Sequence, residues 1–279
     1  MSVTGTGTQA DPYVVTTWAE LVAKAAENGK YVRVGNNIDV LAEYSDGSAP
    51  TLVLNSFVDG DGRTISRWYN TGEKYLIRTR NTTCISNTNF TNIKTNYSLI
   101  YNLSDGNSNH ITIQNCKFAG IMGDGYVFAG TRDTRSGKID GVAVNIKGGN
   151  LFLTFDYAEH SYGNCNIRLE TSATGLFDIQ TYNSESFYDS YFDITAPNLT
   201  DMLVNPNSRH INFDNCVLDI RTNGAVTFDS GNSAISIFNS SHAPNAVGTA
   251  GKIVGVDNTH WLDAAYLADT VGFNIVGGE

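Results

Sequence analysis

The chain has 279 residues, of which 16% are charged, with 14 Tyr, 13 Phe and 27 Gly. Its formal net charge is −10 and no run of Lys or Arg occurs, so the basic footprint that phosphate backbones or anionic lipid require is missing. Nucleic acid and membrane insertion are therefore disfavoured, and the aromatic, glycine-rich, weakly charged composition fits many short strands joined by turns better than a helical bundle.

From the N-terminus, residues 2–10 lack the basic and apolar regions of a secretion signal, so an extracellular role implies exit by lysis, by assembly into a particle, or by a signal outside this sequence. Residues 17–28 are predicted to form an amphipathic helix. Thr17 and Glu20 have capping-box spacing, Trp18, Leu21, Val22 and Ala25 fall on one face, and Gly29 supplies a stop. Residues 1–30 are accordingly read as a leader and a helical cap.

Residues 31–262 carry an internal repeat. The segments Ile113–Phe118, Tyr162–Ile167 and Phe213–Leu218 share the order apolar, any, Asn, Cys, any, apolar, and looser copies place the third position at residues 36, 59, 87, 115, 141, 164, 189, 215, 239 and 258. The mean step is about 25 residues, which suits one coil of three short strands, and the whole predicts a right-handed parallel β-helix of about ten coils. Seven of the ten marker positions are Asn (Asn36, Asn87, Asn115, Asn164, Asn215, Asn239, Asn258), two are Asp (Asp59, Asp189) and one is Gly141. These residue types tolerate a left-handed backbone, so the marker is predicted to be a one-residue corner with its side chains stacked as a ladder. Apolar residues two before, three after and five after the marker are predicted to face inward.

The same register puts Cys116, Cys165 and Cys216 one residue after the marker, as small buried thiols. Neither they nor Cys84 show zinc-ligand spacing, and neither a disulfide, a metal nor a cofactor is expected. Outward residues four after the marker (Arg168, Asp193, Asp219) and six after it (Lys147, Glu170) are expected to form charge columns along the surface.

Two kinds of candidate site arise. Trp68, Tyr69, Tyr97, Tyr101 and Tyr157 are predicted loop aromatics able to stack on the apolar faces of sugars, the competing reading being that they pack beneath their own loops. Tyr162 is the weakest of the aromatics, because its position predicts an inward ring. Asp133 and Asp156 each lie eight residues before a marker, with His160 close by, and are the only candidate carboxylate pair for glycosidic-bond cleavage, with Glu159 beside Tyr157 as the fallback acid. Arg132 and Arg135 flank Asp133 and oppose the raised pKa that a general acid needs, so no catalytic residue is assigned. Beyond the repeat, Trp261–Ala268 reads as a short amphipathic helix, and residues 263–279 as a C-terminal cap.

With its stacked Asn corners and the turn Val58-Asp-Gly-Asp-Gly-Arg-Thr-Ile65, the chain resembles the pectate-lyase-like parallel β-helix family over residues 31–262. Its start, from Gly5 to Asp39, is similar to that of β-helix proteins encoded by bacteriophages. This second resemblance implies a virion appendage, a tail or head fibre outside the cell, that binds a host-surface glycan or protein as a homotrimer or docked on other virion proteins. Two alternatives remain open, a tailspike-like polysaccharide depolymerase and a bacterial surface adhesin.

Overall fold

The computed structural model of the chain describes residues 3–70, 72, 75–102, 110–123, 125–130, 136–149, 151–156, 160–180, 184–203 and 210–223, and the short strands at 226–227, 234–238, 241–242, 246–247 and 253–254. It is a right-handed parallel β-solenoid. Each coil passes in turn through three sheets of 11, 10 and 9 strands, and every pairing between neighbouring strands is parallel. The marker corner joins the first sheet to the second.

The corner works because a left-handed residue reverses the inside–outside alternation without interrupting the inter-coil hydrogen bonds. Asn87, Asn115, Gly141, Asn164, Asp189 and Asn215 all have φ between +49° and +63°, in six successive coils. Within the corner the amide of each marker donates to the next coil, as in Asn115 N to Asp140 O (2.9 Å) and Asn164 N to Tyr188 O (3.1 Å). Two residues on, the amide donates to the previous coil, as in Lys117 N to Thr88 O (3.0 Å) and Val217 N to Ser190 O (2.9 Å). Between these two, the Cys165 amide donates to the Ser190 hydroxyl at 3.0 Å.

Side-chain hydrogen bonds link several markers to the coil before. Asn87 Nδ2 donates to Asp59 Oδ1 at 3.1 Å, Asn115 Nδ2 to Asn87 Oδ1 at 3.3 Å, and Asn215 Nδ2 to Asp189 Oδ1 at 2.6 Å. At Gly141 the ladder has no side chain, and Asn164 Nδ2 reaches instead to Asp140 Oδ1 at 2.9 Å. A Cβ at Gly141 would lie 2.6 Å from Asn115 Oδ1 on a backbone at φ +63°. Gly141→Ala is therefore expected to cost about 1–2 kcal/mol from the left-handed backbone alone, with the displaced Asn115 adding to it, read as a lowered urea midpoint at unchanged slope.

Beside the marker, the next residue turns inward and closes the corner. Thr88 Oγ1 donates back to Ser86 O at 2.8 Å and Ser190 Oγ to Tyr188 O at 2.7 Å, while the thiols of Cys116, Cys165 and Cys216 point at the equivalent carbonyls at 3.3 Å. Small side chains with one weak donor fit here because the position is both cramped and next to a carbonyl. All four cysteines are thiols, and burial pushes those of Cys116, Cys165 and Cys216 up to about 12.

The inward columns form one continuous core. Phe90 lies flat on Phe118 (5.2 Å, 4°), and Tyr162, Phe187 and Phe213 stack in series at 4.4 and 5.2 Å. Outside, Arg168 pairs with Asp193 at 2.6 Å, Arg221 bridges Asp193 and Asp219, and Lys147 meets Glu170 at 2.8 Å, as the register requires.

The early coils depart from the repeat. Val58 aligns with Ile85 and Ile65 with Phe90, so the turn between them is two residues longer than a marker corner, and the left-handed residues are Asp61 and Gly62 rather than Asp59. In the coil before, three residues separate Val34 from Ile38, and Asn36 sits exposed in that wider turn with no positive φ. Asn36 and Asp59 are thus not αL corners, although Asp59 still receives the Asn87 side chain. Asn239 and Asn258 lie outside the described residues, as do residues 263–279 of the expected C-terminal cap.

The first coil is closed by the helix Trp18–Ala25, whose Trp18, Leu21 and Ala25 are fully buried. Thr17 Oγ1 accepts from Glu20 N at 3.2 Å, but Glu20 returns to Thr16 N rather than to Thr17 N. A second cap comes from far along the chain. Glu43, at the end of the short helix Val40–Glu43, accepts Trp18 N at 2.6 Å and Ala19 N at 3.0 Å, placing a carboxylate on the positive end of the capping helix.

Candidate functional site

Three groups of side chains carry chemistry beyond the scaffold. The first is a tyrosine cluster at the start of the third sheet. Tyr75 precedes the strand Ile77–Thr79, which pairs in register with Ile100–Asn102, and this brings Tyr101 flat against Tyr75 (4.2 Å between centroids, 15°). Tyr97 meets Tyr75 edge to face at 5.0 Å and is 36% exposed. Burial, reinforced by Tyr101 and Tyr97, pushes the Tyr75 phenol well above its ordinary value, so it remains a hydroxyl donor at neutral pH. The strand pairing fixes the backbone beneath the rings, so their arrangement exists before any ligand arrives.

Of the predicted ligand aromatics, Tyr97 and Tyr101 are therefore brought together, and Tyr75 is a member that the sequence did not single out. Trp68 is not a surface residue. Its ring is fully buried and its indole donates to Pro50 O at 3.1 Å, the same carbonyl that accepts the Trp18 indole, because left-handed Arg67 turns the chain and sends Trp68 into the core. Tyr69 is half-buried in a two-residue strand against Lys94 and lies apart from the cluster. Tyr157 lies outside the described residues.

The second group is a cleft of about 520 Å³ on the outer face of the first sheet. Its floor is two outward columns. Tyr31, Phe57 and Cys84 are register partners in one, with Tyr31 and Phe57 stacked at 4.9 Å, and Arg33, Asp59 and Ser86 form the other. One wall is the leader, where the amides of Thr6, Gly7 and Thr8 all bond to Asp11 O and hold Gln9 and Pro12 beside the sheet. The alternation of Tyr31-Val-Arg33 and Phe57-Val-Asp59 was the available sequence signal for this face.

The third group is internal. His160 Nδ1 lies 3.1 Å from Glu185 Oε1, both side chains essentially without exposure, and the Tyr162 phenol lies beside the same carboxylate. His160 and Glu185 occupy the inward column four residues before the marker, where other coils carry Ile111 and Ile211. The imidazole fits because its neighbour is Gly137, where a Cβ would lie 2.3 Å from His160 Cδ2. His160 thus faces the core and not a surface carboxylate pair. Asp133 and Glu159 lie outside the described residues. The strand Leu151–Asp156 runs in the third sheet with Asp156 opposite Gln180.

No protein-family model, curated protein or solved structure matches the chain. The site must accordingly be read from its own chemistry. Among the described residues no group of three His, Cys, Asp or Glu side chains is placed to hold a metal ion, and no helix is long and apolar enough to cross a membrane. What the surface groups offer is aromatic stacking with nearby hydroxyl, amide and guanidinium donors, a combination suited to a polar ligand with apolar faces.

Proposed function

We propose that the protein is an attachment appendage of a bacteriophage particle that binds a glycan on the host surface and leaves it uncut. The observation that carries this reading is the Tyr75, Tyr97 and Tyr101 cluster, three rings preset at a sheet corner with Tyr97 open to solvent. Sugars present C–H faces to rings and hydroxyls to polar neighbours, and a rigid platform binds them at little ordering cost. The leader resembling phage β-helix proteins supports the particle assignment, and assembly as a homotrimer or onto other virion proteins belongs to the same proposal.

The test is binding of labelled protein to host cells and to a glycan array, with assay of the bound polysaccharide for reducing ends and unsaturated sugars. Wild type is expected to bind without release of either. Tyr97→Ala combined with Tyr101→Ala is expected to weaken binding at least tenfold, about 1.4 kcal/mol, with the melting temperature little changed. Binding unaffected by the double variant sinks the tyrosine site. Release of cleaved sugar that Asp156→Asn or Glu159→Gln abolishes, with binding retained, replaces attachment by depolymerisation.

A further inference from the structure

We infer that the cleft on the first sheet is a separate binding site for a saccharide bearing a carboxylate, read by Arg33. In a chain of net charge −10, Arg67, Arg168 and Arg221 are each spent on a neighbouring carboxylate, but Arg33 is exposed and makes no ion pair among the described residues. Its register partner in the next coil is a carboxylate, Asp59, and still no pair forms.

The reason lies in the turn. Asp59 Oδ1 accepts from Asp61 N at 2.9 Å and from Asn87 Nδ2 at 3.1 Å, so this oxygen is held by the long early turn and the start of the Asn ladder. The guanidinium is left facing the cleft with its donors available, and a planar fork of N–H groups matches a carboxylate in two parallel hydrogen bonds.

The rest of the cleft selects against a bare anion. Phe57 is covered on one side by Tyr31, but its neighbour on the other is Cys84, a side chain too small to hide the ring. A sugar ring seated over Cys84 can lay its C–H face on Phe57 and direct its carboxylate to Arg33 in the adjacent column, with Ser86 and Gln9 in reach of its hydroxyls. The leader wall is fixed by its own hydrogen bonds to Asp11, so the cleft is formed in advance. This site stands independently of the tyrosine cluster, which lies on a different sheet.

Cys84 gives a direct readout, because it is half-buried in the cleft floor whereas Cys116, Cys165 and Cys216 are buried. The experiment measures binding of a hexuronic-acid tetrasaccharide and of its carboxyl-reduced neutral counterpart to the full chain, alongside the rate at which N-ethylmaleimide alkylates Cys84. The acidic sugar is expected to bind at least tenfold more tightly than the reduced one and to slow alkylation several-fold. Arg33→Gln is expected to abolish the preference and the protection at unchanged melting temperature. Phe57→Leu should weaken both sugars together, and Tyr97→Ala with Tyr101→Ala should leave the protection of Cys84 intact. Equal binding of the two sugars, absence of any protection, or an Arg33→Gln variant that behaves as wild type overturns the assignment. So does a tetraglutamate peptide that protects Cys84 better than the sugar.

Discussion

Trp18→Asp is expected to open the N-terminal end of the solenoid. Truncating a fully buried indole costs about 3–5 kcal/mol by itself, and a carboxylate in its place adds the penalty of a charge with no partner. The cap is also cross-linked by polar contacts, since the Trp18 indole shares Pro50 O with Trp68 and the Trp18 amide is held by Glu43. In a solenoid each coil rests on its neighbours, so the damage should be graded along the axis. Hydrogen exchange should show protection lost first in Tyr31–Val34 and Leu52–Leu54, which pack on the helix, while Ser184–Tyr188 and His210–Asp214 keep theirs. Trp18→Phe, which keeps a ring, should retain most of the stability. Uniform exchange in Trp18→Asp and wild type would show that the helix does not close the core.

Glu185→Ala is expected to cost about 1–3 kcal/mol, because it leaves the His160 imidazole in the core without its hydrogen-bond partner. Glu185→Gln is the more informative substitution. Desolvation raises the Glu185 pKa above its ordinary 4.5, with the nearby His160 opposing but not cancelling the effect. A raised folded-state value means that the native protein takes up a proton at this site. The associated stability is complete below about 4.5 and is lost as pH rises through the folded value. Glutamine has no proton to lose. The difference in melting temperature, Glu185→Gln minus wild type, should therefore grow more positive as pH rises above 4.5. A difference that is flat, or that falls with pH, would mean that the carboxylate is not held in its neutral form by burial.

Much of the architecture could be read in the chain because a solenoid turns long-range contacts into a local periodicity. The residue two before Asn115 and the residue three after it face inward for the same reason as their counterparts around Asn164 and Asn215, so one register predicts every coil that keeps the same turn length. The ion pairs of Arg168 with Asp193 and of Lys147 with Glu170 followed from that register, as did the inward ring of Tyr162. His160 and Glu185 also occupy a single column, yet a histidine near carboxylates in sequence invites a surface reading until the column is followed through Ile111 and Ile211.

The sequence by itself determined the fold and the corner of the six coils from Asn87 to Asn215, since an Asn, Asp or Gly at a fixed interval both permits the left-handed turn and marks where alternation reverses. Only the tertiary structure decided which residues of the early coils lie opposite one another. Two extra residues between Val58 and Ile65 move Asp59 out of the corner, and left-handed Arg67 sends Trp68 inward. It also decided the surface sites. Arg33 shares a cleft with Phe57 and the leader, Tyr75 meets Tyr101, and Glu43 caps a helix that begins 25 residues earlier, all through segments brought together by the winding. The physical reason is that a strand's inside–outside alternation is set by its own backbone, whereas the neighbour across a coil is set by the length of every turn between them.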